Sequence, residues 1–136
     1  MSQFRNVTPE FAVSPQLVLG DVAAARAEGF ALVINNRPDG EAPDQPAGEA
    51  IEAAARVQGL DYVHIPVIGR PTADQARAVA EAAHGRKTLA FCRSGNRSVM
   101  AWALGELAAG RDRAELLRLA AAAGYDLGPA LPLRGQ

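Results

Sequence analysis

Residues Cys92 to Ser98 read Cys-Arg-Ser-Gly-Asn-Arg-Ser and bring a thiol, two guanidinium groups and two hydroxyls into seven positions. Cys92 follows the apolar run Thr88-Leu89-Ala90-Phe91, and Ser98 opens a stretch with helix-forming composition. A thiol between a strand end and a helix start meets backbone N–H groups and the positive end of the helix dipole, both of which favour the thiolate. Arg93 and Arg97 add two full positive charges, and Gly95 permits a turn that other residues resist. Ser98 is placed either to cap the helix or to donate to the sulfur. The expected product is an anionic sulfur nucleophile, Cys92, assisted by Arg97 and Ser98. Around it Arg93, Ser94, Gly95 and Asn96 form a cradle for an oxyanion. A cysteine after an apolar strand is more often a small buried hydrophobe. The Arg-Ser-Gly-Asn-Arg-Ser that follows is not what a core would choose.

The elements that must hold this loop alternate between short β-type runs and alanine-rich helical runs. Phe11–Val13, Ala31–Ile34, Tyr62–Ile65 and Thr88–Phe91 are expected strands. Helices are expected from an Asp21 cap through Ala27, over Gly48–Gln58, from a Thr72/Gln75 capping box to about His84, from Ser98 to about Ala109, and over Arg113–Ala122. Glycines at 29, 59, 85 and 110 mark stops, and the tail from Gly124 should be irregular. Strands separated by helices predict an α/β protein. It has three layers, a central, mostly parallel sheet flanked by helices, with its ligands at the strand ends. No repeat, linker or charge block divides residues 1–136, so one domain is expected.

Composition excludes several classes of function. A single cysteine forms no internal disulfide, and with two histidines it builds no Cys-rich zinc site, so neither a metal nor another cofactor is expected. A balance of 14 Lys+Arg against 15 Asp+Glu gives no bulk attraction to nucleic acid or to an anionic membrane. No run approaches the length of a membrane span, and the first residues lack an apolar leader core, so a soluble cytoplasmic protein is expected. Twenty-nine alanines and 5% aromatics predict a core of small residues packed closely.

The Cys-x-x-Gly-x-Arg-Ser segment resembles the active loops of cysteine phosphatases and rhodaneses. Leu32-Val33-Ile34-Asn35-Asn36-Arg37-Pro38-Asp39-Gly40 and Gly59-Leu60-Asp61-Tyr62-Val63-His64-Ile65-Pro66-Val67 look like a dual-specificity-phosphatase framework. Together, from about Val7 to Tyr125, they are similar to the phosphatase-like domain of the beta-lactamase-hydrolase-like family. That resemblance implies a cysteine-phosphatase-like fold and a small sulfur- or phosphate-bearing anion, or a modified protein side chain, as substrate.

Two departures bear on the reaction. Only four residues separate Cys92 from Arg97, where tyrosine-phosphatase-like enzymes have five. A tighter loop suits the single sulfur of a persulfide better than the three equatorial oxygens of a phosphoryl group. The stretch Val67-Ile68-Gly69-Arg70-Pro71-Thr72, where dual-specificity relatives carry an aspartate acid, has no carboxylate. Asp39 and Asp44, in the loop after Ile34, are the candidate substitutes; Asp74 is read as charge at a helix start. These points favour sulfur transfer through a Cys92 persulfide to an external thiol acceptor. Phosphomonoester hydrolysis is the alternative, and a non-enzymatic anion or redox sensor the second. Arg37 and Asn36 are further candidates for anion contact. Asn35 is read as a turn former or a bond to the cysteine loop, His64 as structural and Trp102 as core. The oligomeric state is not encoded in any motif.

Overall fold

The structure is a computed structural model and describes residues 3–132. Five strands form one sheet in the order β1-β2-β5-β3-β4, with β1 Arg5–Thr8, β2 Phe11–Ser14, β3 Leu32–Asn35, β4 Asp61–His64 and β5 Thr88–Phe91. All neighbours are parallel except the β1–β2 hairpin. Helices α1 Leu19–Ala27 and α2 Gly48–Val57 cover one face, and α3 Ala73–Ala83, α4 Asn96–Ala108 and α5 Arg113–Ala122 cover the other.

The two faces follow from strand alternation. Leu32, Ile34, Ala90, Phe11 and Val13 point to the α3–α5 side, whereas Val33, Leu89, Phe91 and Ala12 point to the α1–α2 side. The small residues do the packing expected of them. A Cβ on Gly105 of α4 would lie 3.0 Å from the Ala76 carbonyl of α3, so α3 and α4 approach closely because neither carries bulk at the crossing.

Several boundaries differ from the sequence reading. β1 is not foreseen, because Arg-Asn-Val-Thr lies at the sheet edge and offers a single buried apolar residue, Val7. Asp21 is not the cap of α1. It is the third helical residue, and its carboxylate accepts the Val18 N–H at 2.9 Å from inside the helix. The Thr72/Gln75 box forms in full, with bonds of 3.1 and 2.9 Å. α4 starts at Asn96 rather than Ser98, so Arg97 sits in its first turn.

Register places the site. Ser14, Phe91, Asn35 and His64 stand in one row across the sheet, at the carboxyl ends of the four parallel strands. The residues following each strand therefore converge on one edge, where an open α/β sheet binds ligands.

Candidate active site

Cys92 follows the last residue of β5 and is 1% exposed. Its Sγ accepts the Gly95 N–H at 3.1 Å. Gly95 caps α4 with φ 96°, and a Cβ there would lie 2.2 Å from Tyr125 Oη, so a side chain at this turn would be strained and would displace the tyrosine. Among the described residues, the N–H groups of Arg93, Ser94, Arg97 and Ser98 donate to no protein acceptor. Unspent donors at a loop and a helix start are what an oxyanion requires.

Arg97 reaches out of the first turn of α4. Nη1 donates to Val67 O at 2.7 Å and to Glu41 Oε2 at 2.8 Å, and Nη2 donates to Glu41 Oε1 at 2.9 Å. The Glu41 hydrogen bonds push the guanidinium above its ordinary value, burial opposes them, and the charge of neighbouring Cys92 adds to the rise. The same bonds, helped by Arg37 against burial, hold the Glu41 carboxyl down at about 2. Glu41 is thus an ionised carboxylate seated on the arginine of the cysteine loop.

Arg37 enters the site through Glu41. It is buried, and its Nε donates to Glu41 Oε1 at 2.9 Å and its Nη1 to Gln16 Oε1 at 3.0 Å. Gln16 in turn donates its backbone N–H to Arg93 O at 3.1 Å, tying the start of the cysteine loop to the segment after β2. The side chains of Arg93, Ser94 and Asn96 lie at the exposed rim, with Asn96 N donating to Ser94 Oγ at 3.3 Å.

Asn36 links the central strands. Its N–H donates to Phe91 O at 2.8 Å, its Nδ2 to Ile65 O at 2.9 Å, and its Oδ1 accepts from Ser98 Oγ at 2.8 Å. That last bond corrects the expectation for Ser98. A hydroxyl has one hydrogen, and here Asn36 takes it, so Ser98 does not donate to the sulfur; nor is Ser98 the cap of α4, because Gly95 holds that position and Ser98 lies inside the helix. Asn35 does not bond the cysteine loop; its Nδ2 donates to Tyr62 Oη at 3.0 Å and its Oδ1 accepts the Arg37 N–H at 2.9 Å. His64 Nε2 bonds Arg37 O at 2.9 Å and steadies the loop after β3.

The candidate acids are placed otherwise than expected. Asp39 Oδ1 accepts the N–H of Gly48, the first residue of α2, at 2.7 Å, which is a capping bond. Asp44 is exposed. The carboxylate that the loop delivers to the arginines is Glu41, held there by Gln45 Oε1, which accepts the Glu41 N–H at 3.0 Å. Sequence reasoning missed Glu41, Gln16 and Tyr125. Only Tyr125 carried a legible signal: Gly124, with φ 99°, ends α5 in a reversed turn that aims the next side chain. Among the described residues, no group of three His, Cys, Asp or Glu could hold a metal, and no helix is long and apolar enough to cross a membrane.

Residues 3–109 match the model of the family described as beta-lactamase hydrolase-like protein, phosphatase-like domain. The chain belongs to this family. Beta-lactamase hydrolase-like proteins of Xylella fastidiosa strain Temecula1 and Agrobacterium fabrum strain C58 are 38% and 34% identical, over 93% and 89% of this chain. The chain spans 30% and 29% of the length of those two relatives. The structure of a candidate phosphatase from Neisseria meningitidis Z2491 superposes with a TM-score of 0.84 at 26% identity, covering 95% of this chain and 94% of that one. The family and the cysteine-phosphatase-like fold expected from the loop and the Asn-Arg-Pro-Asp segment are therefore those of the chain. The family model ends at Ala109, whereas the Xylella relative is aligned over 93% of this chain, which takes in Tyr125 as the sequence led us to expect.

Proposed function

We propose that the domain is a cysteine-dependent phosphatase acting through a phosphocysteine on Cys92. The observation that carries the reading is the pairing of Cys92 Sγ with the Gly95 N–H, beside unspent loop donors and Arg97. The family match and the Neisseria structure support phosphoryl chemistry ahead of sulfur transfer. In the first step the sulfur attacks phosphorus, the bond to the leaving oxygen breaks, and the N–H groups and Arg97 take the charge on the remaining oxygens. In the second, water attacks phosphorus, the S–P bond breaks, and phosphate leaves with the thiolate restored.

The segment Val67-Ile68-Gly69-Arg70-Pro71 after β4 holds no carboxylate, and Asp39 is spent on α2. Without a dedicated acid, the substrates of choice carry leaving groups that depart as anions, such as aryl phosphates or mixed anhydrides. Arg93 at the rim supplies a second positive contact for an anionic substrate or a phosphorylated side chain.

Two observations favour a second reading, sulfur transfer: the four-residue spacing between Cys92 and Arg97 and the lack of a carboxylate after β4. There the thiolate attacks the sulfane sulfur of a donor such as thiosulfate, the S–S bond breaks, sulfite leaves, and an external thiol takes the sulfur from the Cys92 persulfide. Both are tested on one sample. Turnover of p-nitrophenyl phosphate that disappears in Cys92→Ser supports the phosphatase. A gain of one sulfur in intact mass after thiosulfate treatment, absent in Cys92→Ala and without phosphatase turnover, replaces it with the sulfurtransferase.

A further inference from the structure

The peptide unit joining Ser94 to Gly95 is held at both ends. Its N–H points to Cys92 Sγ at 3.1 Å, and its carbonyl accepts from Tyr125 Oη at 2.9 Å. One planar unit therefore fixes a donor on the nucleophile through an acceptor tied to a tyrosine at the far end of the chain.

This hold matters because of Gly95. Rotating a peptide plane by half a turn changes ψ of the residue before it and φ of the residue after it. Glycine takes φ of either sign at little cost, so the residue that permits the present turn, φ 96°, also permits the flipped one. In the flipped state the carbonyl replaces the N–H beside the sulfur. An oxygen lone pair then faces a nucleophile and an anion site that both carry negative charge.

Tyr125 opposes the flip by bond and by bulk. Its Oη takes the Ser94 carbonyl, and its ring abuts Gly95 so closely that a Cβ there would lie 3.0 Å from Cζ. Tyr125 is itself anchored. The Gly124 N–H donates to Ala121 O at 3.0 Å and the Tyr125 N–H to Ala120 O at 2.9 Å, the two bonds that close a helix at a left-handed glycine. The Arg5 guanidinium lies 6.0 Å from the ring centroid and donates to Ala123 O at 3.3 Å, linking the tail to β1. Burial, opposed by Arg5 and helped by the charge of Cys92, pushes the phenol above its ordinary value, so at neutral pH it keeps the proton it donates.

We infer that Tyr125 is a positioning residue that locks the Ser94–Gly95 peptide with its N–H on Cys92. The inference rests on Cys92 being the nucleophile, not on which group it transfers.

The test is Tyr125→Phe, which deletes the hydroxyl and keeps the ring. The rate of Cys92 alkylation by iodoacetamide is followed against pH in the full chain, beside the thermal melt. With the lock removed, a fraction of molecules presents the carbonyl to the sulfur. Alkylation near neutral pH then slows about three- to tenfold, and its pH profile moves up by about half to one unit, the size of one lost hydrogen bond. The melt stays near that of the parent. A variant whose alkylation profile overlays the parent's overturns the proposal. Because alkylation needs no phosphate, a displaced profile in a protein that fails to turn over p-nitrophenyl phosphate upholds the lock and removes the phosphatase reading.

Discussion

Both carboxylate oxygens of Glu41 lie on the terminal nitrogens of Arg97, at 2.8 and 2.9 Å. A carboxylate in this fork occupies donors that an incoming oxyanion would use. Any anion entering the cysteine loop meets a guanidinium that is already neutralised, and it competes with Glu41 for those nitrogens.

Removing that competitor should be visible in binding alone. In Glu41→Gln the charge is gone and the shape remains. Inorganic phosphate, measured by titration calorimetry, is expected to bind about three- to tenfold tighter than to the parent, the worth of one partly exposed charge pair. Equal or weaker affinity would show that the carboxylate serves the anion site rather than rivals it.

The same pair sets an acid-side stability signature. The folded Glu41 value of about 2 lies below its ordinary 4.5, so the pair stabilises the fold above roughly pH 4.5, and this contribution is lost as pH falls through about 2. Its side chains are 16% and 29% exposed, which limits its worth to about 1 kcal/mol. The melting temperature of the parent should exceed that of Glu41→Gln between pH 5 and 7. Calorimetric scans should show the gap closing as pH drops from 4.5 towards 2. A gap that stays constant over that window would mean the two side chains differ for some reason other than charge.

Asn36→Ala tests the buried tie between strands. Asn36 is fully buried, and its loss strands both the Ser98 hydroxyl and the Ile65 carbonyl. Two unsatisfied buried groups should cost about 2–4 kcal/mol, read from urea unfolding. A loss below about 1 kcal/mol would show that water or rearrangement replaces the amide.

Asp39 separates capping from acid catalysis. Asp39→Ala should lower stability by about 1 kcal/mol, because the Gly48 N–H loses its acceptor, while kcat on an aryl phosphate stays within about twofold. A fall in kcat of a hundredfold or more, with stability unchanged, would restore Asp39 as the acid.

What the sequence determined by itself is local. The Thr88–Phe91 strand running into Cys-Arg-Ser-Gly-Asn-Arg-Ser specifies a strand, a tight turn and a helix start within about a dozen residues. The chemistry of that unit, a thiol among N–H donors and arginines, follows from proximity along the chain. The Thr72/Gln75 box and the helix over Arg113–Ala122 were legible for the same reason, since caps and periodicity act over a few residues. Tertiary structure decided which side chains meet across long separations. Glu41 and Arg97 are 56 positions apart, Ser98 and Asn36 are 62, and Tyr125 and Ser94 are 31. No local pattern encodes those distances. They arise because Asn35, Phe91 and His64 share one row of the sheet, so that the loops after β3, β4 and β5 emerge side by side. Asp39 shows the consequence: beside arginine and proline it looks like a free acid, but the fold brings the first N–H of α2 to it and leaves Glu41 to face the arginines.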